Sequence, residues 1–193
     1  MNVKQYKNYK LYIFIALLLV ISLLTACDIS KEISIDKPSI ESQYENFEKV
    51  EVSWVVDGDT IQTVDGRTIR IIGINSPENG KYKEKYGKES TRFAIDTLKN
   101  KEVYLEQDVS NLDQYGRELR YVWINLPDEI NEESLKKYNF SIMSISEGYS
   151  VPYIFEPDRK YESYIIDLAT IARDEGIGLW QFGYKGTTRK TDF

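Results

Sequence analysis

Five short segments rich in Val, Ile, Thr and Tyr, two longer stretches with helical periodicity, and turn residues punctuating them predict a mainly β, α+β domain. The arrangement suits an OB-like five-stranded barrel capped by about three helices. The strands are read at residues 50–56, 60–63, 68–74, 102–106 and 119–124. Asp65-Gly66 between the second and third is a strong hairpin signal, because it joins two alternating apolar runs. Between the third and fourth strands, residues 89–98 place Phe93, Ala94, Ile95 and Leu98 at helical spacing, which predicts an amphipathic helix facing the barrel. Residues 159–174 put Tyr161, Ile165, Leu168, Ile171 and Ala172 on one face, with Gly176 placed to end the helix. Residues 125–150 are less regular. Their first half is polar and acidic and reads as a loop, and residues 140–147 followed by Gly148 read as a short helix.

The chain opens with Lys4, Lys7 and Lys10, an apolar run over residues 11–24, and then Thr25-Ala26-Cys27. A basic start, a short apolar stretch and small residues before a break are the three parts of a secretory signal. Leu24-Thr25-Ala26-Cys27 resembles a bacterial lipobox, which implies cleavage before Cys27 and lipidation of its sulfur. An uncleaved anchor is the alternative, although the run falls short of the ~18 residues a membrane span needs. On either reading the rest of the chain lies outside the cytoplasmic membrane, anchored to it. The expected organisation is a signal peptide at 1–26, lipidated Cys27 and a tether at 27–49, the barrel domain at 50–182 and a tail at 183–193. Residues 28–49 show no sustained period; as a flexible tether they would hold the domain on the order of 25 Å from the membrane, and packing loosely on the domain is the other option. Cys27 is the only cysteine, so the domain has no disulfide and must be stabilised by its core. No partner protein is implied, and a monomer is expected.

The chemistry open to this chain is narrow. It has no His and one Cys, which removes zinc sites and Ser-His-Asp triads of the usual kind. Carboxylates, amides and arginines remain, and they gather in one stretch: Asp57-Gly58-Asp59, then Arg70 within an apolar strand, then Asn75-Ser76-Pro77-Glu78. The hairpin at Asp65-Gly66 brings these groups back toward each other, and oxygen-only ligands suit calcium or magnesium. Read alone, Asp57-Gly58-Asp59 is a turn between strands and Glu78 is ordinary surface. Arg70 is less easily dismissed, since an arginine inside an apolar strand is costly without an anionic partner. The formal charge is −6, and the first 26 residues carry three lysines and no acid, so the remainder carries −9. Such a balance opposes long-range attraction of polyanions.

The motifs Asp57-Gly58-Asp59-Thr60, Arg70 to Glu78 (RIIGINSPE) and Asp113-Gln114-Tyr115-Gly116-Arg117 come in the order and spacing of the staphylococcal nuclease (thermonuclease) family, which the chain resembles over residues 50–180. Tyr86 to Ser90 and Gly176 to Trp180 are similar to it as well. The resemblance implies the same barrel and a calcium-dependent phosphodiesterase acting on DNA and RNA and leaving 3′-phosphate products. It implies Asp59, Asn75 and Ser76 as calcium ligands with Asp57 behind them, Glu78 as general base or orienter of the attacking water, and Arg70 and Arg117 on the scissile phosphate. Tyr115 and Tyr153 would line the nucleotide pocket. Four positions depart from the family pattern. Ser76 stands where a Thr is common, a mild change because the resemblance implies ligation through the main-chain carbonyl there. Asn75 stands in place of an Asp, which implies a weaker calcium site or a lost one; Gln114 stands in place of a Lys; Phe155 stands in place of a Tyr. Lys81, Lys83 and Lys85 offer charge nearby. The competing expectation is a catalytically weak or inactive OB module that binds nucleic acid or protein.

Overall fold

The computed structural model describes residues 44–80 and 83–183. Cys27, the signal segment, most of the expected tether, Lys81 and most of the expected tail lie outside the described residues. Seven strands are present among them: β1 (Phe47–Val55), β2 (Thr60–Thr63), β3 (Thr68–Ile71), β4 (Gly73–Asn75), β5 (Glu102–Glu106), β6 (Glu118–Trp123) and β7 (Val151–Tyr153). With them come four α-helices: α1 (Gly87–Leu98), α2 (Glu132–Tyr138), α3 (Phe140–Ser146) and α4 (Glu162–Asp174), and a 3₁₀ turn at Gly178–Phe182. Five strands close a barrel in the order β1-β2-β3-β6-β5, as expected for an OB-like fold.

One bent strand makes the closure possible. The first half of β1 pairs with β5 and its second half with β2. Between Val52 and Trp54 the register shifts, and Ser53 Oγ fills the irregularity by hydrogen bonding to the carbonyls of Gln62 and Thr63 at 3.1 and 3.0 Å. A bulge of this kind bends a strand and raises its twist, which lets it serve both edges. The parallel pairing of β3 with β6 completes the ring. Val52, Ile61, Ile69, Ile71, Val103, Leu105 and Val122 fill the interior, all fully buried or nearly so.

The structure departs from the sequence-based expectation in four places. β1 begins at Phe47, inside the segment read as a tether, because Tyr44 is buried edge-on against Phe47 and donates its hydroxyl to the Pro127 carbonyl at 2.7 Å. Residues 68–74 form two strands: Gly73 adopts φ +86, and the chain leaves the barrel there to pair with β7. The polar stretch read as a loop contains α2, which Asn131 and Ser134 start with a reciprocal capping box. The barrel therefore carries four helices where about three were expected. Finally, α4 starts at Glu162 and ends as predicted at Gly176, whose N–H reaches the Arg173 carbonyl while that of Ile177 reaches Ala172.

α4 is tied to the barrel through a buried carboxylate. Glu106, 1% exposed on β5, accepts hydrogen bonds from Trp123 Nε1 at 2.7 Å and from the Tyr161 hydroxyl at 3.0 Å, and pairs with the Lys160 ammonium. Burial, and then Glu106 itself, hold the Tyr161 hydroxyl well above the usual phenol range, so it stays a donor. Replacing Glu106 with Ala strands the Trp123 and Tyr161 donors in the core, while the exposed Lys160 ammonium turns to water. Urea unfolding of Glu106→Ala should show a loss of about 2–4 kcal/mol, from two buried donors left unpaired at about 1–3 kcal/mol each.

Candidate active site

The β1–β2 turn carries the first half of the site. Asp57 Oδ1 accepts the Asp59 N–H at 3.0 Å, which folds the turn tightly and points the Asp59 side chain inward. Asp59 is 6% exposed, and its carboxylate is held by four donors: Oδ1 by Thr60 Oγ1 at 3.0 Å and Arg70 Nε at 3.4 Å, Oδ2 by the Ser76 N–H at 2.7 Å and Ser76 Oγ at 3.1 Å. Arg70 faces Thr60 across the β2–β3 ladder, so strand register sets its position. Ser76 arrives because the break at Gly73 turns β4 off the barrel. Asp57, Asp59, Arg70 and Ser76 thus meet at one end of the barrel, and half-buried Asn75 sits beside them at the end of β4.

Close packing locks the turn in place. A Cβ on Gly58 would stand 2.2 Å from Ser90 Oγ and 2.6 Å from Ser76 Cβ, so only glycine lets the turn, the loop after β4 and α1 meet. Gly87 plays the same part for Glu78: a Cβ there would lie 2.4 Å from the Glu78 carbonyl oxygen. The Glu78 N–H donates to Glu84 Oε2 at 2.7 Å, and the Glu84 N–H returns to the Glu78 carbonyl at 2.8 Å. The Glu78 backbone is therefore clamped from two sides. Among the described residues its own carboxylate makes no hydrogen bond or ion pair.

Arg117 reaches the site from the loop between β5 and β6. Asp113 builds that loop, taking the N–H groups of Tyr115 and Arg117 on Oδ1 at 2.9 and 3.0 Å and Arg117 Nε on Oδ2 at 2.7 Å. Burial pushes the Asp113 carboxyl up, but those hydrogen bonds and the guanidinium together bring it below the usual range. Arg117 Nη1 also lies 3.5 Å from Thr60 Oγ1, which links it through Thr60 to Asp59. Between the two arginines and the aromatic residues opens a cleft of about 310 Å³. Arg70, Arg117, Tyr115 and Tyr153 all line it, together with Gln114 and Phe155. Tyr153 and Phe155 meet edge to face at 4.5 Å, and Tyr115 is 75% exposed at the mouth. Asp57, Asp59, Asn75, Ser76 and Glu78 are not on the cleft wall; Asp59 adjoins it through Arg70 and Thr60, and Asp57 and Ser76 through their hydrogen bonds to Asp59. Sequence reasoning passed over Asp113, Thr60, Glu84 and Gly87 as parts of the site. For Asp113 a signal existed, since Asp two residues before Tyr-Gly-Arg is a turn former whose side chain reaches the N–H groups that follow.

A divalent cation fits this end of the barrel. The donors here are oxygens alone, from the Asp57 and Asp59 carboxylates, the Asn75 amide and the Ser76 carbonyl, which is the chemistry calcium takes, and an ion on Asp59 would take the place of hydrogen bonds that now fill its oxygens. Burial, and next the nearby Asp59 charge, push the Asp57 carboxyl up to about 7, the mark of two acids crowded where a cation would relieve them. Among the described residues no group of three or more His, Cys, Asp or Glu side chains converges to hold a metal; the oxygens that meet at this end come from two carboxylates, an amide and a main-chain carbonyl.

The fold and the site define a class: an OB-type barrel whose end joins carboxylates and two oriented arginines to an aromatic cleft. A sequence model of the family described as staphylococcal nuclease homologue matches residues 68–182, and the chain belongs to that family. It is 32% identical over 136 residues to the thermonuclease of Staphylococcus intermedius, covering 67% of this chain and 74% of that protein. To the thermonuclease of Staphylococcus hyicus it is 33% identical over 141 residues, 70% of this chain and 77% of that one. An uncharacterised protein of Methanocaldococcus jannaschii is 30% identical over 66% of this chain and 69% of its own length.

Because Ser76 Cβ is fixed by its backbone, Gly58→Ala cannot be absorbed by rotating a side chain. Thermal and urea unfolding should show a loss of about 1–3 kcal/mol, typical of forced overpacking, while Gly66→Ala would report only backbone strain, since no atom lies within 4 Å of a Cβ there.

Proposed function

We propose that this protein is a calcium-dependent nuclease of the thermonuclease type that hydrolyses DNA and RNA, anchored outside the cytoplasmic membrane through lipidated Cys27. The observation that carries the reading is the pair of arginines, each oriented by its own carboxylate, Asp59 for Arg70 and Asp113 for Arg117, at the wall of an aromatic cleft. A phosphodiester seated there would meet two guanidinium forks, which match phosphoryl oxygens in a bidentate way. Their charge opposes the charge that develops as phosphorus becomes five-coordinate, and their fixed geometry spares reorganisation at that moment. Tyr115, Tyr153 and Phe155 would take the sugar and base by stacking.

Glu78 is the base in this reading. Its clamped backbone and a carboxylate unpaired among the described residues leave it able to accept a proton from a water attacking in line. The water oxygen bonds to phosphorus, the bond to the 5′-oxygen breaks, and that oxygen takes up a proton, leaving a 3′-phosphate and a 5′-hydroxyl. Asp59, Asn75 and Ser76 would hold calcium, with Asp57 behind Asp59; bound there, the ion supplies charge stabilisation for the phosphoryl group. The lipobox and the basic, apolar start of the chain support the location. Asn75 and Gln114 favour one rival, a module of the same fold that binds nucleic acid without cutting it.

Cleavage of single-stranded and duplex DNA by the chain from Asp28, with calcium titrated, separates the two. Activity should rise with calcium and fall by about 10²–10⁴ in Glu78→Gln, the usual contribution of a general base. Binding without cleavage at saturating calcium would establish the binding module instead.

A further inference from the structure

The chain is acidic overall, yet its positive charge is unevenly spread. Residues 83–101, which run from the loop after Glu78 through α1 to its far end, hold six Lys and Arg against three Asp and Glu. Two of those acids are engaged: Glu84 accepts the Glu78 N–H and Asp96 pairs with Arg92 at 2.8 Å. Lys83, Lys85, Lys88 and Arg92 are exposed. Lys88, Arg92 and Lys99 fall at intervals of four and seven, so they form one stripe along the outer side of the helix.

Aromatic rings interleave with the stripe at both ends. At the start of α1 a cavity of about 370 Å³ is lined by Tyr86, Phe93 and Tyr149, by Lys88 and Arg92, and by two acids, exposed Glu89 and Asp96, the latter paired with Arg92; the Tyr149 ring stacks on Phe93 at 4.2 Å and on Tyr86 at 5.8 Å. At the other end Trp54 is 53% exposed, with the Lys99 ammonium 4.2 Å from its ring centroid. Tyr86 takes φ +68, a left-handed conformation that a tyrosine rarely adopts and that holds its ring beside the cavity. The surface is continuous with the candidate active site, because Gly87 packs directly on the Glu78 backbone. Basic groups that follow a path, alternating with rings on which bases can stack, are what single-stranded nucleic acid recognises.

We propose that the outer face of α1, from the Tyr86–Tyr149 cavity to Trp54, is a docking track for one nucleic-acid strand continuing beyond the Glu78 side of the cleft. The proposal rests on the nuclease reading for its direction. Helix α1 alone extends about 18 Å at 1.5 Å per residue, so the track serves a polymer and leaves a short oligonucleotide, held by the arginine cleft, untouched.

The test uses the chain from Asp28, which keeps the whole barrel and its core, and compares it with Lys88→Gln/Arg92→Gln/Lys99→Gln. Without calcium, binding of a 16-residue oligothymidine is followed by fluorescence anisotropy across a salt series, and by tryptophan quenching. The quenching reports on Trp54, since Trp123 and Trp180, the other two tryptophans, are 0% and 5% exposed. With calcium, cleavage of a trinucleotide reports on the cleft alone. The triple variant should bind the 16-mer about tenfold or more weakly, with a salt slope smaller by about 2, at roughly 0.7 for each phosphate that a removed cation no longer neutralises. It should also lose the Trp54 quenching and cleave the trinucleotide at the parent rate. Unchanged 16-mer affinity and slope, or no 16-mer binding by the parent, overturns the proposal. So does a variant that loses affinity only for phosphatidylglycerol vesicles, which would make the face a membrane-binding surface. A trinucleotide cut by neither protein overturns the nuclease reading and leaves the 16-mer result standing.

Discussion

The Asp59 carboxylate is where the barrel and the site become one object. Four donors from three segments converge on its two oxygens, and two of them, the Ser76 N–H and hydroxyl, come from a loop that left the barrel at Gly73. A carboxylate this buried is tolerated because each oxygen is fully bonded. The same bonds fix what surrounds it. Arg70 is oriented by Oδ1, Thr60 links Asp59 onward to Arg117, and Ser76 carries Asn75 and Pro77-Glu78 with it. The glycine at position 58 is the steric counterpart of this network, for a side chain there would drive the loop and α1 apart. The orientation of Arg70, the position of Asn75 and Ser76 and the placing of Glu78 therefore draw on one shared set of interactions, and a change in any of them reaches the others.

How much of this was legible depended on the range of the forces involved. The five barrel strands and the two long helices were readable because alternation and helical spacing are local patterns, and the turn at Asp65-Gly66 carries its own geometry. The motif residues were readable as a set, and the fold brings Asp57, Asp59, Arg70, Ser76 and Arg117 together at one barrel end. What stayed hidden was set by distant partners. The start of β1 depends on Tyr44 finding Pro127, 83 residues away in sequence. The break at Gly73 is decided by pairing with β7, and a run of Ile residues across it looks like a single strand. The Glu106 anchor needs Trp123, Lys160 and Tyr161 at once, which no periodicity announces. α2 was hidden for the opposite reason: its capping box is local, but its polar composition masks a helix with one buried face.

The two arginines show why charge placement matters here more than charge total. Each guanidinium is already paired with a carboxylate, Arg70 with Asp59 and Arg117 with Asp113, so each pair is close to neutral. Neutralisation lowers the pull on a distant polyanion, yet it fixes the planar fork in one orientation, and for a transition state that lasts a bond vibration, orientation outweighs long-range attraction. Lysine in either place would keep the charge and lose the fork. Capturing the polymer is then a separate task that the cleft is poorly equipped to perform. A surface at a distance from the carboxylates can perform it, and α1 has the composition for that: its cations face solvent, Arg92 on the helix is paired to an acid while Lys88 is not, and the rings beside them offer stacking that salt does not screen. On the proposed function, division of labour between an oriented, near-neutral cleft and an exposed basic track would let a chain with an excess of acid reconcile phosphoryl chemistry with its own net charge.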